Sequence, residues 1–197
     1  MISINKKNLI NIIVAFVTLI LIFFGFFSNE DLSTGGSGWD FNLTWPIIKE
    51  YTNFNFDSEK SQITRHVPFH YLILSFFNFF VTDKETVRFA YFLFSLLLPY
   101  FLYLNLNQIY ISKKSNILII CFSFLLLPFL RSSAMWANAH LTAIIFFLIG
   151  NFYYLKSKEK NKFKFKLMNL FFLSLATYSI QSYIILYLFY LYRYFHF

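Results

Sequence analysis

Apolar residues run in long blocks along this chain, and one polar interval separates the first block from the rest. Residues 9–27 (LINIIVAFVTLILIFFGFF) carry no charge. Four later blocks, 87–106, 117–136, 138–155 and 167–192, are nearly as apolar. A helix needs about 20 apolar residues to cross the hydrocarbon core of a bilayer. The pattern therefore predicts an all-α polytopic membrane protein, a single membrane domain over 1–197 with about five transmembrane helices. Pro99 falls in the middle of the 87–106 block and predicts a kink, and Pro128 lies near the outer end of the 117–136 block. The last block has a polar centre of Ser174, Thr177, Ser179, Gln181 and Ser182, read as interhelical glue.

The polar interval, 28–86, holds Glu30, Asp31, Asp40, Glu50, Asp57, Glu59, Asp83 and Glu85, eight of the nine acids. Its STGGSG stretch reads as a turn and lacks the GK[ST] ending of a phosphate-cradling loop. A short amphipathic helix is expected after Pro46, with Ile47, Ile48 and Tyr51 on one face. Residues 69–81 (FHYLILSFFNFFV) are apolar but short for a span, which predicts an interfacial helix. Charge supports that placement. With 69–81 outside, Lys113, Lys114 and the lysines of KSKEKNKFKFK (156–166) all face the cytoplasm, together with Lys6 and Lys7. A spanning 69–81 would reverse every later loop.

Composition narrows the class further. The chain is 58% hydrophobic and only 13% charged, too oily and too weakly charged for an ordinary soluble domain. The net charge of +8 comes largely from the 156–166 loop and is topological; no basic, aromatic groove accompanies it, so no nucleic-acid partner is expected. The lone Cys121 excludes an internal disulfide and reads as a small buried hydrophobe. The first apolar block is long for a signal peptide and no A-x-A-like site follows it, so a retained helix with a cytoplasmic N-terminus is expected.

One arrangement carries a resemblance. Acids follow the first helix, and the same outer interval holds His66-Val67-Pro68-Phe69-His70-Tyr71-Leu72-Ile73-Leu74 before an Arg-headed helix. This resembles the N-terminal part of the GT-C fold membrane glycosyltransferases, in particular dolichyl-phosphate-mannose:protein mannosyltransferase-like members, with their H-P-P-L-Y-Y-L-L-like segment. Here Val67 stands for the first proline, and Phe69 and His70 for the leucine and first tyrosine. Asn138 and His140 stand where many members place a second acid.

The resemblance implies a transferase of the cell envelope. It would move a sugar from a polyprenyl-phosphate donor to an acceptor, unidentified, on the outer side of a membrane, with the bacterial inner membrane expected. Such a transfer needs a base for the acceptor's proton and cations for the leaving phosphate. Asp40 is the first candidate base, because burial between Trp39 and Phe41 would raise its pKa; Asp31 and Glu30 follow. Arg65, Arg88 and Arg131 are candidates to grip phosphate, against the plainer reading of snorkelling at helix ends. His66, His70 and His140 would line the site. Pro68 lies between His66 and His70, so a two-histidine metal site is not expected; a divalent cation would find no specified ligand set, and no metal or other cofactor is assigned. The alternative is a non-catalytic membrane subunit, or a truncated fragment, whose outer loop docks a partner. Membrane lipids are partners on either reading.

Overall fold

A computed structural model describes residues 6–31, 36–57, 68–110 and 114–196, and the regular structure among these residues is helical. Helix α1 (Lys6–Phe27) is the first apolar block. It ends at Asn29, which takes a left-handed φ of 54°, a conformation asparagine tolerates better than most residues. The Glu30 amide then bonds back to Gly25 O at 3.0 Å, closing the helix end.

The interval that follows is more structured than its composition predicts. Helix α2 (Gly36–Thr52) begins within the glycine-rich stretch expected to be a turn, and passes straight through Pro46 instead of starting after it. Helix α3 (Phe69–Phe80) matches the expected 69–81 segment. The two stack into a helical pair. Phe41, Ile47 and Ile48 of α2 share one core with Tyr71 and Leu74 of α3. Ser75 Oγ donates to Ile48 O at 3.1 Å, and Asn78 Nδ2 to Thr52 Oγ1 at 2.8 Å. Packing thus overrides the low helix propensity of the two glycines.

Helices α4 (Lys84–Ser95) and α5 (Leu97–Ile109) run on from each other with a break at Leu96. Asp83 caps α4 through Thr86 N at 2.9 Å, and that bond holds its carboxyl below the usual range. Helices α6 (Lys114–Phe124) and α7 (Pro128–Met135) meet at a 62° bend. Pro128 sets the bend by pushing Leu127 to an extended ψ of 129°. Helix α8 (Ala139–Lys160) starts at the cap Asn138 and ends at Asn161, another left-handed residue.

The last block departs most from expectation. Residues 167–192 do not form one helix. Helix α9 (Phe163–Thr177) stops, a 3-10 turn covers Gln181–Tyr183, and α10 (Ile184–His196) doubles back. Ser179, Gln181 and Ser182 lie in or beside this turn and not at mid-helix; Ser179 Oγ bonds Leu175 O at 3.0 Å, the local bonding by which such residues compete with helix.

Among the described residues, two helical stretches are long and apolar enough to cross a membrane, Lys84–Ile109 and Ala139–Lys160, with a third if the bent pair Ile117–Phe124 and Pro128–Met135 counts as one span. These stretches do not by themselves make up the expected count of about five. Helix α1 is itself 22 residues long and apolar, α3 is 12 residues long, and the α9–α10 turn divides the 167–192 block.

The bundle has two chemically different ends. At one, Phe26 at the end of α1 meets Arg88 and Phe89 at the start of α4, and Tyr91 of α4 meets His70 at the start of α3 and Asn138 at the start of α8. At the other, the end of α5 meets the end of α8, the start of α9 and the end of α10. A chain of amides joins the helices toward this second end. Asn105 Nδ2 donates to Leu148 O at 2.9 Å, Asn151 Nδ2 to Asn105 Oδ1 at 3.0 Å, Tyr190 Oη to Asn151 Oδ1 at 2.7 Å, and Tyr194 Oη to Asn169 Oδ1 at 2.9 Å. Helices α8 and α9 pack closely at Gly150, where an added Cβ would stand 3.1 Å from Leu173 Cγ.

Candidate functional site

The acids after α1, two arginines and an indole gather at the first end. Arg88, on the first turns of α4, is 3% exposed. Its guanidinium carbon lies 4.6 Å from the Phe26 ring centroid and 4.4 Å from that of Trp136, so it is sandwiched between two aromatic faces. Its Nη2 donates to Asn29 Oδ1 at 2.5 Å and pairs with Glu85 Oε2 at 2.7 Å. Arg131, on α7, pairs with Glu30 and also donates to Leu21 O at 3.3 Å. Trp136 ties the two arginines together, since its Nε1 donates to Glu30 O at 3.0 Å while its ring covers Arg88.

Each arginine makes its contacts through Nη2. Their Nε atoms are both buried without a hydrogen-bond partner among the described residues. A buried donor left unpaired is costly, and a ligand or water that accepts from it would relieve the cost.

The acids divide by environment. Glu30 belongs to the Arg131 pair. Asp31 is half-buried, and its Oδ2 accepts from Gly38 N at 2.8 Å, anchoring the start of α2. Ser37 Oγ and Ser132 Oγ, 2.9 Å apart, link that start to α7. Asp40 is exposed on α2, so the burial expected between Trp39 and Phe41 is absent. Trp39 is itself 66% exposed, and only Phe41 turns into the core.

His70 is buried at the start of α3, its Nδ1 2.9 Å from Thr142 Oγ1. The Thr142 hydroxyl also meets Tyr91 Oη at 2.8 Å, and Tyr91 donates to Asn138 O at the same distance. His140 is exposed two residues before Thr142, its ring 5.8 Å from that of Phe129. Arg65 and His66 lie outside the described residues. No group of three or more His, Cys, Asp or Glu that could hold a metal occurs among the described residues.

The structure thus brings Glu30, Asp31, Arg88 and Arg131 together and sets His70 beside Thr142. It leaves Asp40 and His140 on the surface. Sequence reasoning missed Asn29, Glu85 and Trp136. Trp136 carried a signal, an amphipathic ring in the turn after Arg131; the other two are ordinary polar residues whose partners only the fold supplies.

Two outcomes follow from this geometry. Thr142→Val should destabilise the fold by about 1–3 kcal/mol, because His70 and Tyr91 both lose the hydroxyl they share; chemical denaturation in detergent would measure it. Gly25→Ala should change stability little but disturb the ion pair. The new Cβ would lie 2.7 Å from Glu30 Oε2, 2.8 Å from Arg131 Nη2 and 2.5 Å from Met135 Cε, all tips of flexible side chains that must give way. Alanine's helix propensity returns about 1 kcal/mol. The check is a double-mutant cycle, in which the Glu30–Arg131 coupling should fall toward zero on the Gly25→Ala background.

No known family model matches the sequence, and no curated protein or solved structure matches it.

Proposed function

We propose that the chain is a membrane glycosyltransferase, or the N-terminal module of one, using a polyprenyl-phosphate sugar at the end of the bundle that holds Arg88 and Arg131. One observation carries this reading: two arginines whose Nε donors are buried without a hydrogen-bond partner among the described residues stand with Glu30 and Asp31 directly after the first apolar helix. Guanidinium groups suit phosphate oxygens, and fixed donors at the leaving group lower the barrier to displacement.

In this scheme the acceptor hydroxyl gives its proton to Asp31 as its oxygen bonds to the anomeric carbon. The bond from that carbon to the phosphate oxygen breaks, and Arg88 and Arg131 hold the polyprenyl phosphate that leaves. Asp31 takes the base's place from Asp40 because it stands in the cluster, half-buried and held by α2. Helix α3 supports the donor's approach. Leu72, Phe76, Phe79 and Phe80 are exposed along it, a ridge suited to the surface of a bilayer. The lysine-rich end would face the cytoplasm and the arginine end the outside, in keeping with the charge rule.

The test is sugar transfer in membranes containing the full chain, using labelled polyprenyl-phosphate sugars as donors. Transfer above that of membranes lacking the chain supports the reading. No transfer from any donor, with a folded protein, would sink it and favour a docking subunit in which Glu30 and Glu85 serve only to neutralise the arginines.

A further inference from the structure

The end of the bundle remote from this site contains a second feature. A cavity of about 260 Å³ opens between the end of α8, the start of α9 and the end of α10. Its wall carries Lys158, Lys166 and Arg193, with Tyr154, Ser157 and Tyr194 between them. Three cations from three helices meet here and no acid among the described residues lines the cavity; Glu159, the one acid of the 156–166 segment, lines a different cleft beside Asn107 and Gln108. The cations are positioned by rings. Lys158 lies 4.8 Å from the Tyr154 ring centroid, Lys166 5.7 Å from that of Tyr194, and Arg193 5.9 Å from that of Phe189. Tyr194 is in turn fixed by its bond to Asn169.

The surroundings of the cavity matter as much as its lining. Phe163 and Leu167 on α9, and Tyr192 and Phe195 on α10, are exposed large hydrophobics on the same two helix ends. A cationic hollow beside an apolar flank fits a molecule with an anionic head and oily tails. Basic hollows between helices near a membrane surface are where such head groups bind.

We propose that this cavity binds the phosphate head group of an anionic phospholipid, with its acyl chains along the exposed faces of α9 and α10. The site is independent of the arginine cluster at the other end. It clamps α10 to α8 and α9 through one ligand that touches all three.

Native mass spectrometry of the full chain in neutral detergent tests this, with phosphatidylglycerol and phosphatidylcholine as probes. Wild type should retain one phosphatidylglycerol under conditions that strip phosphatidylcholine. The Lys158→Gln, Lys166→Gln, Arg193→Gln triple variant should bind phosphatidylglycerol about tenfold or more weakly, given roughly a tenfold effect for each favourable charge at most. A matched triple, Lys160→Gln, Lys162→Gln, Lys164→Gln, removes the same charge from the loop outside the cavity and should leave binding nearly unchanged. Equal loss in both triples would overturn the site in favour of diffuse attraction. Displacement of the lipid by millimolar inorganic phosphate would overturn the lipid assignment in favour of a soluble phosphate. Should the first triple fail to fold, Arg193→Gln alone, against Arg193→Lys with its charge kept, must show the same loss and rescue.

Discussion

Asp31→Asn should reduce sugar transfer by about 10²–10⁴-fold while leaving the fold intact, the range expected when a positioned base is removed. The asparagine side-chain oxygen can still accept from Gly38 N, so the start of α2 keeps its anchor. What it cannot do is take up a proton at neutral pH. Asp40→Asn, on the exposed face of the same helix, should transfer nearly as well as wild type. The comparison is to be made at matched protein levels with a single labelled donor. The reverse result, Asp40→Asn inactive and Asp31→Asn active, would return the base to Asp40 and show that the acceptor approaches from the solvent side of α2.

The second large effect is on stability. Arg88→Ala should cost about 2–4 kcal/mol, the range for losing a buried, charge-assisted network. The alanine forfeits the bond to Asn29 and both aromatic contacts, and it leaves the Phe26 and Trp136 rings facing a gap. The Glu85 pair contributes little to that figure, because its carboxylate is 61% exposed. Glu85→Gln should therefore be nearly neutral. Arg88→Lys should recover only part of the loss, since an ammonium lacks the flat face that stacks between two rings. Denaturant midpoints of the three variants in one detergent would rank them. Equal midpoints for Arg88→Ala and Glu85→Gln would show that the sandwich stabilises nothing.

Much of the bundle could be read from the apolar blocks, because block length and composition act locally. Helix α3 was legible from its short apolar run, and the ends of α1 and α8 lie close to where the hydrophobicity stops. The α9–α10 turn was not. Its YSIQS segment is no more polar than many mid-membrane stretches, and what decides the turn is Tyr190 and Tyr194 finding Asn151 and Asn169 across the bundle. Helix α2 was missed for a similar reason. Glycine and proline counted against it locally, while burial of Phe41, Ile47 and Ile48 under α3 counted for it at long range. Among the candidate residues, the structure gathers Glu30, Asp31, Arg88 and Arg131 at one end, and residue type alone could not separate Asp31 from Asp40, because the difference lies in which carboxylate meets α2's backbone and which lies on its exposed face.

The run of amides from Asn105 through Asn151 to Tyr190 bears on how the helices are turned about their axes. A helix entering a bilayer with an asparagine on its face has no water with which to satisfy it. Asn105 can bond its own helix at Phe101 O, 2.7 Å away, but its carbonyl oxygen waits for Asn151. Asn151 in turn waits for Tyr190. The three residues thus interlock α5, α8 and α10 pair by pair, Asn151 completing Asn105 and Tyr190 completing Asn151. Rotating any one of these helices about its axis would strand a polar group on its neighbour as well as its own, so the amides fix rotation and not only proximity.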